Sequence, residues 1–93
     1  MTFVLNRNWG GFTLPQGYVD AYGLEDVYDY DEATIRTDAR LIEWMRKFPL
    51  GDGYACGDLG LVEIPDNCTD YEINENDGAE FIIYVINGKI HHA

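Results

Sequence analysis

The chain contains no serine. Ser-His-Asp catalysis and the serine nucleophile elbow are therefore excluded. Basic residues are also scarce: six Lys and Arg stand against seventeen Asp and Glu, a formal net charge of -11. Such a surface repels nucleic acid, anionic membranes and acidic substrates, which disfavours direct nucleic-acid or membrane binding. Cysteine is limited to Cys56 and Cys68. Two thiols are too few for a disulfide framework or a four-ligand zinc site by themselves, and in a reducing compartment both read as free. No apolar run approaches the roughly 18 residues of a transmembrane helix. The first seven residues, Met1 to Arg7, show no basic-then-apolar leader pattern. These absences predict a cytoplasmic protein.

What is present can fold. The composition is 46% hydrophobic and 14% aromatic, unlike acidic disordered tails, which lack the apolar surface needed to offset chain entropy. The 93 residues suit a single domain spanning the whole chain. Phe3-Val4-Leu5 reads as a first strand, and Trp9-Gly10-Gly11-Phe12 as a glycine-punctuated loop. Thr13 as cap and Pro15 in the first turn predict a short helix over about 14–22, closed by Gly23. The main helix is predicted over 38–48: Thr37 or Asp38 caps it, and Leu41, Ile42, Met45 and Phe48 share a face. Arg46 and Lys47 oppose its negative end and Pro49 stops it.

Leu50 to Gly60 reads as a glycine-rich loop, Leu61–Ile64 as a strand ended by Pro65, and Tyr71–Ile73 as another strand. Asn76-Asp77-Gly78 is a turn. Phe81–Ile86, the most apolar run, is expected as a central strand covered on both faces. Asn87-Gly88 predicts a type I′ hairpin returning through Lys89-Ile90-His91. The fold class is therefore α+β: an antiparallel sheet of about four strands with a C-terminal hairpin, packed against the 38–48 helix.

Three stretches, Asn6-Arg7-Asn8-Trp9-Gly10-Gly11-Phe12-Thr13-Leu14, Arg36-Thr37-Asp38-Ala39-Arg40-Leu41-Ile42-Glu43 and Val62-Glu63-Ile64-Pro65-Asp66 through Asp77-Gly78-Ala79-Glu80, occur in an order that resembles small acidic proteins of tailed bacteriophages and prophages. That family has no assigned activity. The resemblance implies an origin and carries over no catalytic residue and no cofactor.

The chemistry-bearing candidates are few. An EF-hand loop starting at Asp29 would need Gly and Glu where Thr34 and Arg40 stand, so it fails. His91 and His92 are adjacent and would point to opposite faces of a strand, which does not suit one metal ion, and they read as frayed terminal residues. Glu63 is the carboxylate best placed for a raised pKa, but an outward strand position is its plainer reading. Nothing in the sequence joins Cys56 to a histidine as a nucleophile-base pair. No enzyme activity, metal or cofactor is expected.

Charge arrangement carries the remaining signal. Asp20 to Glu32 holds six acidic residues and no basic one, interleaved with Tyr22, Val27, Tyr28 and Tyr30. Four of the six basic residues lie between Arg36 and Lys47, while Pro49 to Gly88 holds nine acidic residues and no basic one. A polarised field of this kind steers association with cationic partners. The leading expectation is a phage-encoded accessory protein, not an enzyme, that binds a basic surface on a host protein, with nucleic-acid mimicry as its sharpest form. The partner-binding candidates are Trp9, Phe12, Asp26, Asp29, Asp31, Glu32, Asp66, Asp70, Glu75 and Asp77. One alternative is a small-molecule or divalent-metal domain built on the Trp9–Phe12 loop. Another is a virion or assembly component.

Overall fold

The computed structural model describes residues 1–7, 11–48 and 59–93. Along the chain these form strand β1 (Thr2–Asn6), helix α1 (Gln16–Ala21), a 3₁₀ turn (Ile35–Thr37), helix α2 (Ala39–Lys47) and strands β2 (Leu59–Glu63), β3 (Asp70–Asn76), β4 (Ala79–Ile86) and β5 (Lys89–His92). The fold is α+β. Its strands are antiparallel throughout but lie in two sheets, β1-β2 and β3-β4-β5, rather than in one sheet of four. The break falls at Pro65, which has no N–H for a ladder. Cys68 donates its backbone N–H to the Pro65 carbonyl (3.4 Å) in the turn that carries the chain to the second sheet.

β1 is the middle of the molecule. Phe3, Val4, Leu5 and Asn6 are all buried, and alternate residues of a strand point to opposite faces. Val4 enters one core with Leu14, Tyr18, Ile35, Leu41 and Met45. Phe3 and Leu5 enter a second core with Ile64 and Ile82. The result is three layers: helices, the β1-β2 pair, and the β3-β4-β5 sheet. Each large apolar side chain buried at these two seams contributes about 1.5–3 kcal/mol.

α2 forms where its pattern places it. Asp38 is its N-cap and accepts the Arg40 backbone N–H at 2.8 Å, and Phe48 is its C-cap. Leu41 and Met45 are buried, while Ile42 and Trp44 lie partly buried against the same core. α1 is shorter than 14–22. Leu14 donates its N–H to the Val27 carbonyl (2.9 Å), which holds it outside the helix. Pro15, not Thr13, is the N-cap, and no side chain caps this end. Gly23 at φ +66° closes the helix in the left-handed region that glycine tolerates.

Both sheet turns are the two-residue hairpin type. Asn87 and Gly88 have φ of 52° and 75°, and Asp77 and Gly78 have φ of 53° and 90°. Two successive positive φ values define a type I′ turn, whose twist matches the flanking strands. The register runs Asp70↔Val85 to Asn76↔Ala79 on one side of β4, and Ile83↔His92 to Ile86↔Lys89 on the other.

Three further expectations need correction. Leu59 and Gly60 belong to β2, not to the loop, because they pair with Asn6 and Leu5. His91 and His92 are not frayed: they are paired in β5, and Ala93 exchanges both backbone hydrogen bonds with Ile82 (2.9 and 3.1 Å). β4 is central, but among the described residues only one of its faces joins a core. Glu80, Ile82 and Tyr84 turn toward β1, whereas Phe81, Ile83 and Val85 alternate to the opposite face and belong to neither core.

Leu41→Ala leaves a cavity at the helix-sheet seam and is expected to cost about 2–5 kcal/mol in urea unfolding. Asp38→Ala removes one cap and is expected to cost about 1 kcal/mol.

Candidate functional site

The 3₁₀ turn brings Arg36 to the point where the layers meet. Its two Nη atoms donate to the two carboxylate oxygens of Glu80 on β4, a bidentate pair. The Arg36 and Glu80 side chains are 12% and 10% exposed. Glu80 Oε1 also accepts the Asn6 backbone N–H at 2.6 Å. Asn6 Nδ2 donates to the Gly78 carbonyl (2.9 Å), and Arg7 Nη1 donates to the Glu80 carbonyl (3.0 Å). The Arg36 guanidinium lies 4.0 Å above the centre of the Phe12 ring, a cation–π contact. So β1, the 3₁₀ turn, β4 and the Phe12 segment share one polar junction. Its members come from three separate stretches of the chain: Asn6 from β1, Arg36 from the 3₁₀ turn, and Gly78 and Glu80 from the turn into β4 and its start.

Neither Arg36 nor Glu80 stands out as a site residue in the sequence. The available signal is strand parity. Glu80 is in phase with Ile82 on the face that packs inward, and an acid there needs a cation.

Beside this junction is a cleft of about 340 Å³ lined by Glu32, Arg36, Ile73, Asn74, Glu75 and Glu80. Glu32 ends the first acidic stretch and Glu75 lies on β3 in the second. Two acidic segments far apart in the chain therefore border one cleft.

The first segment, residues 20–32, begins in the last turn of α1 and is irregular from Tyr22 on, and much of its acidity serves the backbone. Asp26 Oδ1 accepts the Tyr28 N–H (2.8 Å), Asp29 Oδ2 the Glu25 N–H (3.0 Å) and Asp31 Oδ1 the Ala33 N–H (3.0 Å). Short acidic side chains stabilise turns in this way while leaving their charge in water. Anchoring comes from Leu24, Val27 and Tyr30, which pack on the first core. Tyr30 meets Phe12 edge-on and donates its hydroxyl to the Phe12 carbonyl (3.3 Å), and burial raises its pKa. Tyr28 does not anchor: it is 67% exposed.

The remaining candidates separate. Asp70, Glu75 and Asp77 are exposed on or beside β3. Asp66 is also exposed, and its hydrogen bond with the Met1 ammonium lowers its pKa. Glu63 is exposed and accepts the Thr2 hydroxyl. Phe12 is a core residue rather than a surface contact, buried beneath Arg36. Trp9 and Cys56 lie outside the described residues, and Cys68 is a half-buried free thiol. Among the described residues, no three His, Cys, Asp or Glu side chains converge to hold a metal ion. No helix there is long and apolar enough to cross a membrane.

One further surface was not legible as such. The outer face of the three-stranded sheet carries Ala79, Phe81, Ile83 and Val85 on β4, with Ile90 and His92 on β5 and Asp70 and Glu72 on β3, by register. Ile90 is 69% exposed. Comparison with protein-family models, curated proteins and solved structures finds no match to this chain.

Truncating one member of the Arg36–Glu80 pair strands the other at a largely dry junction. Arg36→Met and Glu80→Leu are each expected to cost about 2–4 kcal/mol, somewhat below a fully buried pair because both groups retain some water. The double substitution is expected to cost less than the sum of the two. A double-mutant cycle by urea denaturation checks this, and additive losses would show that the pair is uncoupled.

Proposed function

We propose that the protein is a non-enzymatic binding module that meets a basic protein surface with its acidic faces. The observation that carries this reading is the convergence of the two acidic segments at one cleft, through Glu32 and Glu75. Among the described residues the ion pairs are Arg36–Glu80, Arg40–Asp38 and the Met1 ammonium with Asp66. Among the described residues, the carboxylates of residues 20–32 and of β3 form no ion pair, and the Arg36 that shares their cleft is engaged by Glu80. Charge complementarity raises association rates and selects partners. In the phage setting that the sequence resembles, this partner is a host protein and the place of action is the host cytoplasm.

Plain recognition of a basic surface is favoured over extended nucleic-acid mimicry. On the outer row of β3, Asp70 and Glu72 are followed by Asn74 and Asn76, so the charge ends after two positions. A catalytic reading has less support. The best-buried carboxylate among the described residues, Glu80, has both oxygens engaged by Arg36 and one also by the Asn6 N–H.

Affinity capture from host lysate at about 50 and about 500 mM salt tests the proposal, since screening across that range weakens exposed charge pairs. A specific partner is expected at low salt and is expected to be lost at high salt. A variant carrying Asp26→Asn, Asp29→Asn, Asp31→Asn, Glu32→Gln and Glu75→Gln keeps the side-chain acceptors of the turns. It is expected to melt close to the parent yet lose the partner. Capture indifferent to both salt and these substitutions would refute the reading.

A further inference from the structure

Among the described residues, the β3-β4-β5 sheet packs its inner face on a core and its outer face on none. Its inner residues Ile73, Ile82 and Tyr84 join the second core, and β1 is the strand that packs against β4 there. On the outer face the row Ala79, Phe81, Ile83 and Val85 is half-buried, Ile90 beside it is exposed, and none of these residues belongs to either core of the described residues. A central strand that is apolar on both sides normally has both sides covered, and an apolar strip rimmed by polar groups marks a contact surface.

Resting on the reading of the protein as a binder of basic surfaces, we infer that this outer face seats an amphipathic helix of a partner protein. The apolar stripe of that helix would lie along Phe81, Ile83 and Val85, with Lys or Arg on the flank facing Asp70 and Glu72. Charge sets both the occupant and its orientation. β3 contributes Asp70 and Glu72 on one side of the strip, whereas β5 contributes Ile90 and His92 on the other, so cationic groups belong over β3. A second copy of this chain is the wrong occupant, because two chains of net charge -11 repel. The area argues likewise. Strand spacing and rise give roughly 300 Å² for this face, well short of the about 800 Å² per partner of a standard stable interface. One helix fits it: about 18 residues at a rise of 1.5 Å match the roughly 27 Å length of β4.

The test uses the full chain, isotopically labelled, and a synthetic helical peptide of about 18 residues with a Leu stripe and Lys confined to one flank. Its control is a peptide of the same composition in scrambled order. Amide shifts are expected at Asp70, Glu72, Phe81, Ile83, Val85 and Ile90. The scrambled peptide is expected to bind at least about tenfold more weakly, because an anchor stripe concentrates the binding energy. Ile83→Thr keeps a β-branched strand residue and is expected to weaken the patterned peptide by about tenfold. Glu72→Gln, at an exposed position that leaves the fold untouched, is expected to weaken it about threefold and to flatten its salt dependence. Shifts confined to residues 20–32, or equal binding of the scrambled peptide, overturn the sheet-face inference while leaving the acidic-surface reading standing. A dimer in light scattering that Ile83→Thr dissociates overturns it in favour of a second copy.

Discussion

Three layers depend on the charge pair between Arg36 and Glu80. Each layer alone is thin: two short helical segments, a two-stranded sheet, and a meander of three strands. Hydrophobic burial holds the layers together but is non-directional, so it does not by itself fix how the meander sits on β1. The bidentate pair does, because a guanidinium fork accepts a carboxylate in one plane. Glu80 is fixed further by the Asn6 N–H, and Arg36 by Phe12 beneath it. A buried pair of this kind is weak evidence of net stabilisation, since desolvation offsets the attraction. Its contribution is to single out one arrangement of layers that apolar packing alone would leave open.

Much of this fold was legible from local chemistry. Asp38, the Leu41 and Met45 pair, and the Arg46-Lys47 end locate α2 without tertiary information. Asn87-Gly88 and Asp77-Gly78 locate two turns, because few other residues tolerate positive φ twice. What was not legible is long-range. The splitting of the strands into two sheets depends on how β2 pairs with a strand some sixty residues earlier, and no local pattern reports that. α1 begins late because Leu14 is claimed by Val27, again a pairing the local sequence does not display. The histidine pair reads as frayed because terminal position is a local cue, whereas its partners Ile83 and Tyr84 are tertiary.

The candidate site divides along the same line. The acidic stretches are visible as composition, but their meeting at Glu32 and Glu75 follows only from the layer arrangement. Composition also overstates how much of that charge is idle. Asp26, Asp29 and Asp31 each hold a backbone N–H, so an acidic run that reads as a coat is partly a scaffold, with function and folding drawn from the same side chains. Phe12 illustrates the opposite error: a residue in a glycine-rich loop reads as available, yet it forms the floor under Arg36. The apolar run of β4 reads as a doubly covered core strand because its composition is the same on both faces, and composition cannot say that only one of them joins a core of the described residues.

The two hairpin turns also set the order in which the chain can assemble. β3, β4 and β5 meet across two-residue turns, whereas the β1–β2 pairing includes Thr2 and Glu63, separated by 61 positions. Closing the longer loop costs about 2 kcal/mol more in chain entropy than closing a turn, and such non-local contacts form late. The meander can therefore form while β1 is still searching, with Ile82 and Tyr84 uncovered on one side and Phe81, Ile83 and Val85 on the other. A sheet bare on both faces is the species most prone to stick to its own kind. Asp70, Glu72 and Glu75 lie along its β3 edge, where charge discourages edge-to-edge pairing. The acidity thus protects the chain in the interval before β1 arrives.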